Sequence, residues 1–190
     1  MESADSHWTA LAGHPSARSD TELGIDARVQ IGESGVIVFR YVLRGEISRV
    51  RIPSAKPAQR ADGLWKHTCV EAFIRSPDAS GYYEFNFAPS RQWAVYRFSA
   101  YRAGISSVDL DTPPEISVRR LDNSLEVEAA VRLHDLIALR DAPRLQIALS
   151  AVVEEESGTL SYWALKHAPS EPDFHALDGF VLELATQANR

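Results

Sequence analysis

Glu71 and Glu84 are the residues of this chain whose type and spacing could do chemistry, with His67 and Asn86 beside them. Side chains alternate along a strand, so residues 67–75 divide into two faces. Thr68, Val70, Ala72 and Ile74 make one; His67, Cys69, Glu71, Phe73 and Arg75 make the other. After a turn over residues 77–81, Tyr83, Phe85 and Phe87 share one side, and Tyr82, Glu84 and Asn86 share the opposite one. A hairpin joining the two runs brings Glu84 and Asn86 near Glu71. Two facing carboxylates can separate their pKa values and act as acid and base on a glycosidic bond at a separation of about 5 to 9.5 Å. The competing reading, which is favoured, pairs each acid with an arginine such as Arg75, Arg97 or Arg102 in a structural cluster. No residue is therefore assigned a catalytic role.

Aromatic residues crowd the same stretch. Residues 64–101 hold two of the four tryptophans and four of the six tyrosines. Trp65, with Trp93 or Trp163, could stack on a sugar ring while Glu71, Asn86, His67 and Arg97 bond its hydroxyls. Equally, Trp65 could simply plug one end of the fold, since tryptophan is usually well buried. A second polar stretch, SYWALKHAPSEPDFH over residues 161–175, presents His167, Asp173 and His175 around two prolines and forms a candidate opposite wall. His67, His167, Asp173 and His175 could also be read as metal ligands, but their spacing matches no standard zinc pattern. No metal is assigned. No glycine-rich phosphate loop or nucleophile elbow is present, and Cys69 in mid-strand reads as a packing thiol. No cofactor is expected.

The elements that must position these groups have period two. Runs over residues 28–31, 36–43, 47–52, 70–74, 82–87, 94–98, 116–121, 125–131, 145–153, 160–165 and 180–184 read as short strands. Turn residues separate them, which predicts an all-β antiparallel sandwich or barrel. A short helical turn is expected over 133–139, and a long surface loop over 53–63 delivers the chain to Trp65. The 190 residues suit one domain, with 1–6 and 186–190 as disordered tails. The acids at 154–156 read as a solvated hairpin tip. Net charge is −6 with no basic stripe, which argues against nucleic acid. No apolar run could span a bilayer, so no membrane partner is expected. The N-terminal residues lack a secretory pattern and Cys69 is the lone cysteine, so a cytoplasmic location is expected. The oligomeric state is left open.

The segments LWKHTCVEAFI, YYEFNFAPSRQWAVYRFSAYR and SYWALKHAPSEPDFH resemble those of bacterial DOMON-like proteins related to family 9 carbohydrate-binding modules. The resemblance runs through most of the chain and implies a β-sandwich. In family 9 modules two tryptophans clamp a terminal sugar, and an acid six residues beyond the first binds its hydroxyls. By that resemblance Trp65 is the first clamp, Glu71 the acid, Asn86 a polar contact, and Trp163 or Trp93 the opposing clamp. Glu84 departs from the sugar binders, as do the SYWALKH and PDFH segments. The implied function is non-catalytic binding of a small carbohydrate or polyol. The expected ligand-binding residues are Trp65, His67, Glu71, Glu84, Asn86, Trp93, Arg97, Trp163, His167, Asp173 and His175. The alternatives are an enzyme using Glu71 and Glu84 as acid and base, and a purely structural or interaction domain.

Overall fold

Alternation of apolar and polar residues folds this chain into two antiparallel sheets whose apolar sides meet. The computed structural model describes residues 7–17, 20–32 and 35–186, so the tails expected at 1–6 and 187–190 lie outside the described residues. Thr186, also assigned to a tail, is held by the Pro143 and Ala142 carbonyls. The strands are β1 (Thr9–Gly13), β2 (Leu23–Ile31), β3 (Val36–Gly45), β4 (Cys69–Arg75), β5 (Tyr82–Phe87) and β6 (Trp93–Phe98). There follow β7 (Ser106–Ser107), β8 (Glu115–Arg120), β9 (Ser124–Arg132), β10 (Arg144–Glu154), β11 (Leu160–Ala164) and β12 (Leu182–Ala185).

One sheet runs β1-β2-β3-β9-β8 and the other β7-β6-β5-β4-β10-β11, with β12 also on β10. They share β1, whose Thr9, Ala10 and Leu11 pair with β2 and whose Ala12 and Gly13 pair with β11. The inward set of β3, Ile37, Phe39, Tyr41 and Leu43, is buried, as is Leu125, Val127, Ala129 and Val131 of β9. Phe39 meets Phe85 and Phe87 of the opposite sheet at ring distances of 6.0 and 5.8 Å. The Tyr41 hydroxyl crosses the core and donates to the Glu71 carbonyl at 2.6 Å. Each such large apolar side chain contributes about 1.5–3 kcal/mol by leaving water.

The centre of the second sheet is buried on both faces. β4 and β5 carry scarcely an exposed residue, because a separate cluster of Phe73, Tyr82, Ala94, Tyr96, Phe98, Ala148 and Phe180 covers the outer side. Its cover is the segment 165–181. β11 and β12 lie along the same edge of β10, and the chain between them leaves the sheet after Leu165 and returns through a 3₁₀ turn at Leu177–Gly179.

Three local expectations are corrected. Residues 47–52 form a 3₁₀ turn, Ile47–Arg49, and a single bridge at Val50, not a strand. β1 was missed. The acids at 154–156 are not all solvated: β10 runs on through Glu154, whose buried carboxylate takes bonds from Arg51 at 2.7 Å and His67 at 2.7 Å, and Glu155 is buried too. The helical turn at 133–139 shortens to the 3₁₀ turn Leu133–Asp135. No helix among the described residues is long and apolar enough to cross a membrane.

Candidate functional site

Register fixes what lies on the outer face of the second sheet. Glu71 stands opposite Asn86 of β5 and Ser150 of β10, and Glu84 stands opposite Phe73 of β4 and Tyr96 of β6. Glu71 and Glu84 are thus diagonal neighbours on adjacent strands, within reach of each other's field. Tyr82 faces Phe98 one step further along, and their rings stack at 4.9 Å.

A cavity of about 390 Å³ opens above this floor. That volume suits a small ligand. Glu71 and Glu84 lie at its base. Tyr96, Phe98, Tyr162, Phe174 and Trp65 give it aromatic walls, and His175, Arg102, Ile105, Val152 and Pro172 complete the lining. Trp65 sits on the 3₁₀ turn Leu64–Lys66, which Gly63 starts from a left-handed conformation (φ 75°) that a side chain would oppose. The indole is 40% exposed and meets Tyr96 edge-on at 5.9 Å.

The opposite rim is tied by charge. Arg102 gives two bonds to Asp173 Oδ1, from Nε at 3.2 Å and Nη2 at 2.7 Å, and the Tyr101 hydroxyl donates to Oδ2 at 2.6 Å. The Arg102 backbone is left-handed (φ 49°), a conformation that costs a non-glycine residue about 1–3 kcal/mol. Its N–H donates to the Tyr82 hydroxyl at 3.1 Å, which leaves that hydroxyl to donate to His175 Nδ1 at 2.8 Å. His175 Nε2, carrying the ring proton, then points to Glu84 Oε2 at 3.8 Å, beyond a normal bond. Burial and the nearby Arg102 charge push the imidazole pKa down to about 4 despite Asp173, so the ring is neutral at neutral pH.

Among the described residues the two acids carry no arginine partner. Arg102 belongs to Asp173, Arg75 packs over Phe180, and Arg97 lies on the other face of β6, opposite Tyr83. The structural cluster favoured from the sequence is therefore corrected: its cations are spent elsewhere. Burial, and then the Glu84 charge, lift the Glu71 carboxyl well above the usual carboxylate range. Burial also raises Glu84, against the opposing pull of the Asn86 amide and Arg102. Glu71 is 3% exposed and is the partner that keeps the proton. Its Oε1 has no hydrogen-bond partner among the described residues, nor has the Ser150 hydroxyl opposite it. Glu84 Oε1 accepts from Asn86 Nδ2 at 2.8 Å.

The structure brings Trp65, Glu71, Glu84 and His175 together around the cavity, with Asn86 beneath the floor and Asp173 bracing the rim. It does not bring the rest. Trp93 and Trp163 face the intersheet core, Trp163 against Gly13 with its Nε1 on Ser161 Oγ at 3.0 Å. They cannot be the opposing clamp. Parity is the reason: Tyr162, not Trp163, faces the cavity. His67 is held by Glu154, and His167 by the Ala12 carbonyl at 2.6 Å. Of the four suggested metal ligands only Asp173 and His175 are neighbours, and no three metal-ligating side chains converge among the described residues. Tyr96, Phe98, Tyr162 and Phe174 were not among the expected ligand-binding residues, and Arg102 was read only as a partner for the acids. Extending the Glu84 register by one strand would have found Tyr96 and Phe98. Cys69 is fully buried, and burial raises its thiol pKa, which suits packing.

No family model matches the chain, and no curated protein sequence does. A suspected carbohydrate-binding protein from Bacteroides uniformis has a similar solved structure, with a TM-score of 0.73 at 13% identity over 95% of this chain and 86% of that one. A family 9 carbohydrate-binding module from Caldicellulosiruptor kristjanssonii, solved with cellotriose, gives 0.49 at 11% identity over 87% of this chain and 75% of that one. At 13% identity the first likeness is one of fold: an antiparallel all-β sandwich of the same overall course.

Proposed function

We propose that this chain binds a small carbohydrate or related polyol in the cavity on the outer face of the second sheet. The observation that carries the reading is the buried Glu71 carboxyl with an oxygen lacking a partner, at the base of a cavity walled by aromatic rings. A sugar offers hydroxyls for the acids and an apolar ring face for Trp65, with Phe174 or Tyr162 as the opposing surface. The fold shared with a suspected carbohydrate-binding protein supports the same reading. So does the spacing of Trp65 and Glu71 that the sequence shares with family 9 modules.

A second reading has one specific observation behind it: the acids are desolvated and free of arginine, as an acid–base pair acting on a bound sugar would be. One titration separates the two. A panel of mono- and disaccharides is added while intrinsic tryptophan fluorescence is followed in wild type, Trp65→Ala and Glu71→Gln. Saturable binding should weaken roughly tenfold in Trp65→Ala, the size of a lost aromatic stacking contact. The Trp65→Ala melting temperature should hold, because the ring is half-exposed. No response to any sugar at millimolar concentration would sink the binding reading. Product formation that Glu71→Gln abolishes would establish the enzymatic one.

A further inference from the structure

Resting on that reading, we infer that the cavity selects a sugar bearing a primary ammonium group over the neutral sugar of the same shape. Three features point to a cation. First, the floor holds two carboxyls side by side with no cationic side chain bound to them among the described residues, while Arg102 in the cavity lining is bonded twice to Asp173. Second, among the described residues the floor leaves acceptors unused: Glu71 Oε1 has no partner, and Glu84 Oε2 has only a 3.8 Å approach from His175. The Ser150 hydroxyl beside Glu71 is likewise unpartnered. Third, the walls are aromatic: Trp65, Tyr96, Phe98, Tyr162 and Phe174. Ring faces attract an ammonium as well as a sugar ring.

A sugar hydroxyl brings one proton to this floor and no charge. An ammonium brings three donors and the missing positive charge. Neutral His175 cannot supply that charge, because burial and Arg102 disfavour a second cation in the rim. The remaining titratable groups facing the acids are Tyr41, Cys69, Tyr82 and Tyr96, all protonated at neutral pH and therefore uncharged. The floor is thus the negative end of the cavity and the rim its neutralised end. A ligand ammonium would settle between Glu71 and Glu84 with the sugar ring against Trp65. Because Glu71 holds its proton while no cation is seated, an ammonium bound between the two carboxyls displaces that proton to solvent.

The experiment is calorimetry at pH 7 with matched pairs: glucosamine against glucose, galactosamine against galactose, and mannosamine against mannose, with the N-acetyl forms as uncharged controls. In at least one pair the amino sugar should bind roughly tenfold to a hundredfold tighter than its neutral partner and its N-acetyl form, as charge-assisted bonds plus cation–π contact require. Repeating the titration in buffers of different ionisation enthalpy should reveal proton release with the amino sugar and none with the neutral one. Glu84→Gln should erase the preference, bringing the amino-to-neutral affinity ratio of each pair down to about one. Neutral sugars that bind as tightly as their amino partners, or tight amino-sugar binding without proton release in wild type, would overturn the inference and leave sugar binding standing. No binding in any pair would instead bring down the carbohydrate reading itself.

Discussion

Glu71 is kept in its protonated form by burial and by the charge of Glu84, and this makes it a stability element that works against the fold as pH rises. An acid whose pKa is higher folded than unfolded binds more protons in the folded state. Stability is therefore full below the unfolded value near 4.5 and declines as pH climbs through the raised folded one. His175 acts in the opposite direction. Its pKa falls from 6.5 to about 4, so its contribution is present above 6.5 and lost as pH drops towards 4. Glu71→Gln should flatten the alkaline decline and raise the melting temperature at pH 8 by a few degrees, since about 1 kcal/mol moves a chain of this length by roughly 2–4 °C. Thermal melts from pH 4 to 9 test this; an unchanged slope in the variant would mean that Glu71 is already ionised. At this scale the sequence was readable where one alternation governed: Glu71, Glu84 and Asn86 share a face because strand parity leaves no choice. It misled at Trp163, where ring size suggested a clamp while parity put Tyr162 on the cavity side and Trp163 in the core.

The segment 165–181 turns a sheet face into a site. It leaves β10 between β11 and β12, lays Phe174 and His175 over the floor, and is fastened by Phe180 in the outer aromatic cluster, by Arg102 on Asp173, and by Lys166 on Asp178 at 3.0 Å. Phe180 meets Phe73 and Tyr82 edge-on at 6.5 and 5.9 Å. Phe180→Ala should cost about 3 kcal/mol, the low end for losing a buried phenyl ring at a site that can relax. The loss should be local. Amide exchange should speed up across 166–181 while the β3 amides keep their protection, and sugar affinity should fall with it; uniform deprotection of both segments would show that the flap and the sandwich open as one unit. This element was hard to read because its prolines and polar residues mark a loop without saying which face the loop covers. The same ambiguity hid β1, whose TALAG offers small residues and no period. In contrast, β5 matched its expected span, since six residues with aromatics on alternate positions admit one register.

Two apolar clusters divide the molecule, one between the sheets and one on the outer face of the second sheet, and β4 and β5 separate them. The intersheet cluster was legible as alternation in β2 and β9, whose outward faces are largely polar, and as the apolar run of β3; the outer cluster was not, because the polar side of a hairpin reads as a solvated side unless something covers it. That division predicts that stability and binding can be uncoupled. Phe39 packs on Phe85 and Phe87, residues whose side chains point away from Glu84 and Asn86. Phe39→Ala should therefore remove about 3–5 kcal/mol of stability through the cavity it leaves, lowering the melting temperature by roughly 6–20 °C. Ligand affinity measured well below that temperature should stay within about twofold of wild type, because the floor residues keep their register and their neighbours. Phe180→Ala should show the reverse balance, with a smaller fall in melting temperature and a larger one in affinity. If Phe39→Ala instead weakened binding tenfold while the chain remained folded, the intersheet core would be holding the acids in place through the strands, and the two clusters would form one mechanical unit.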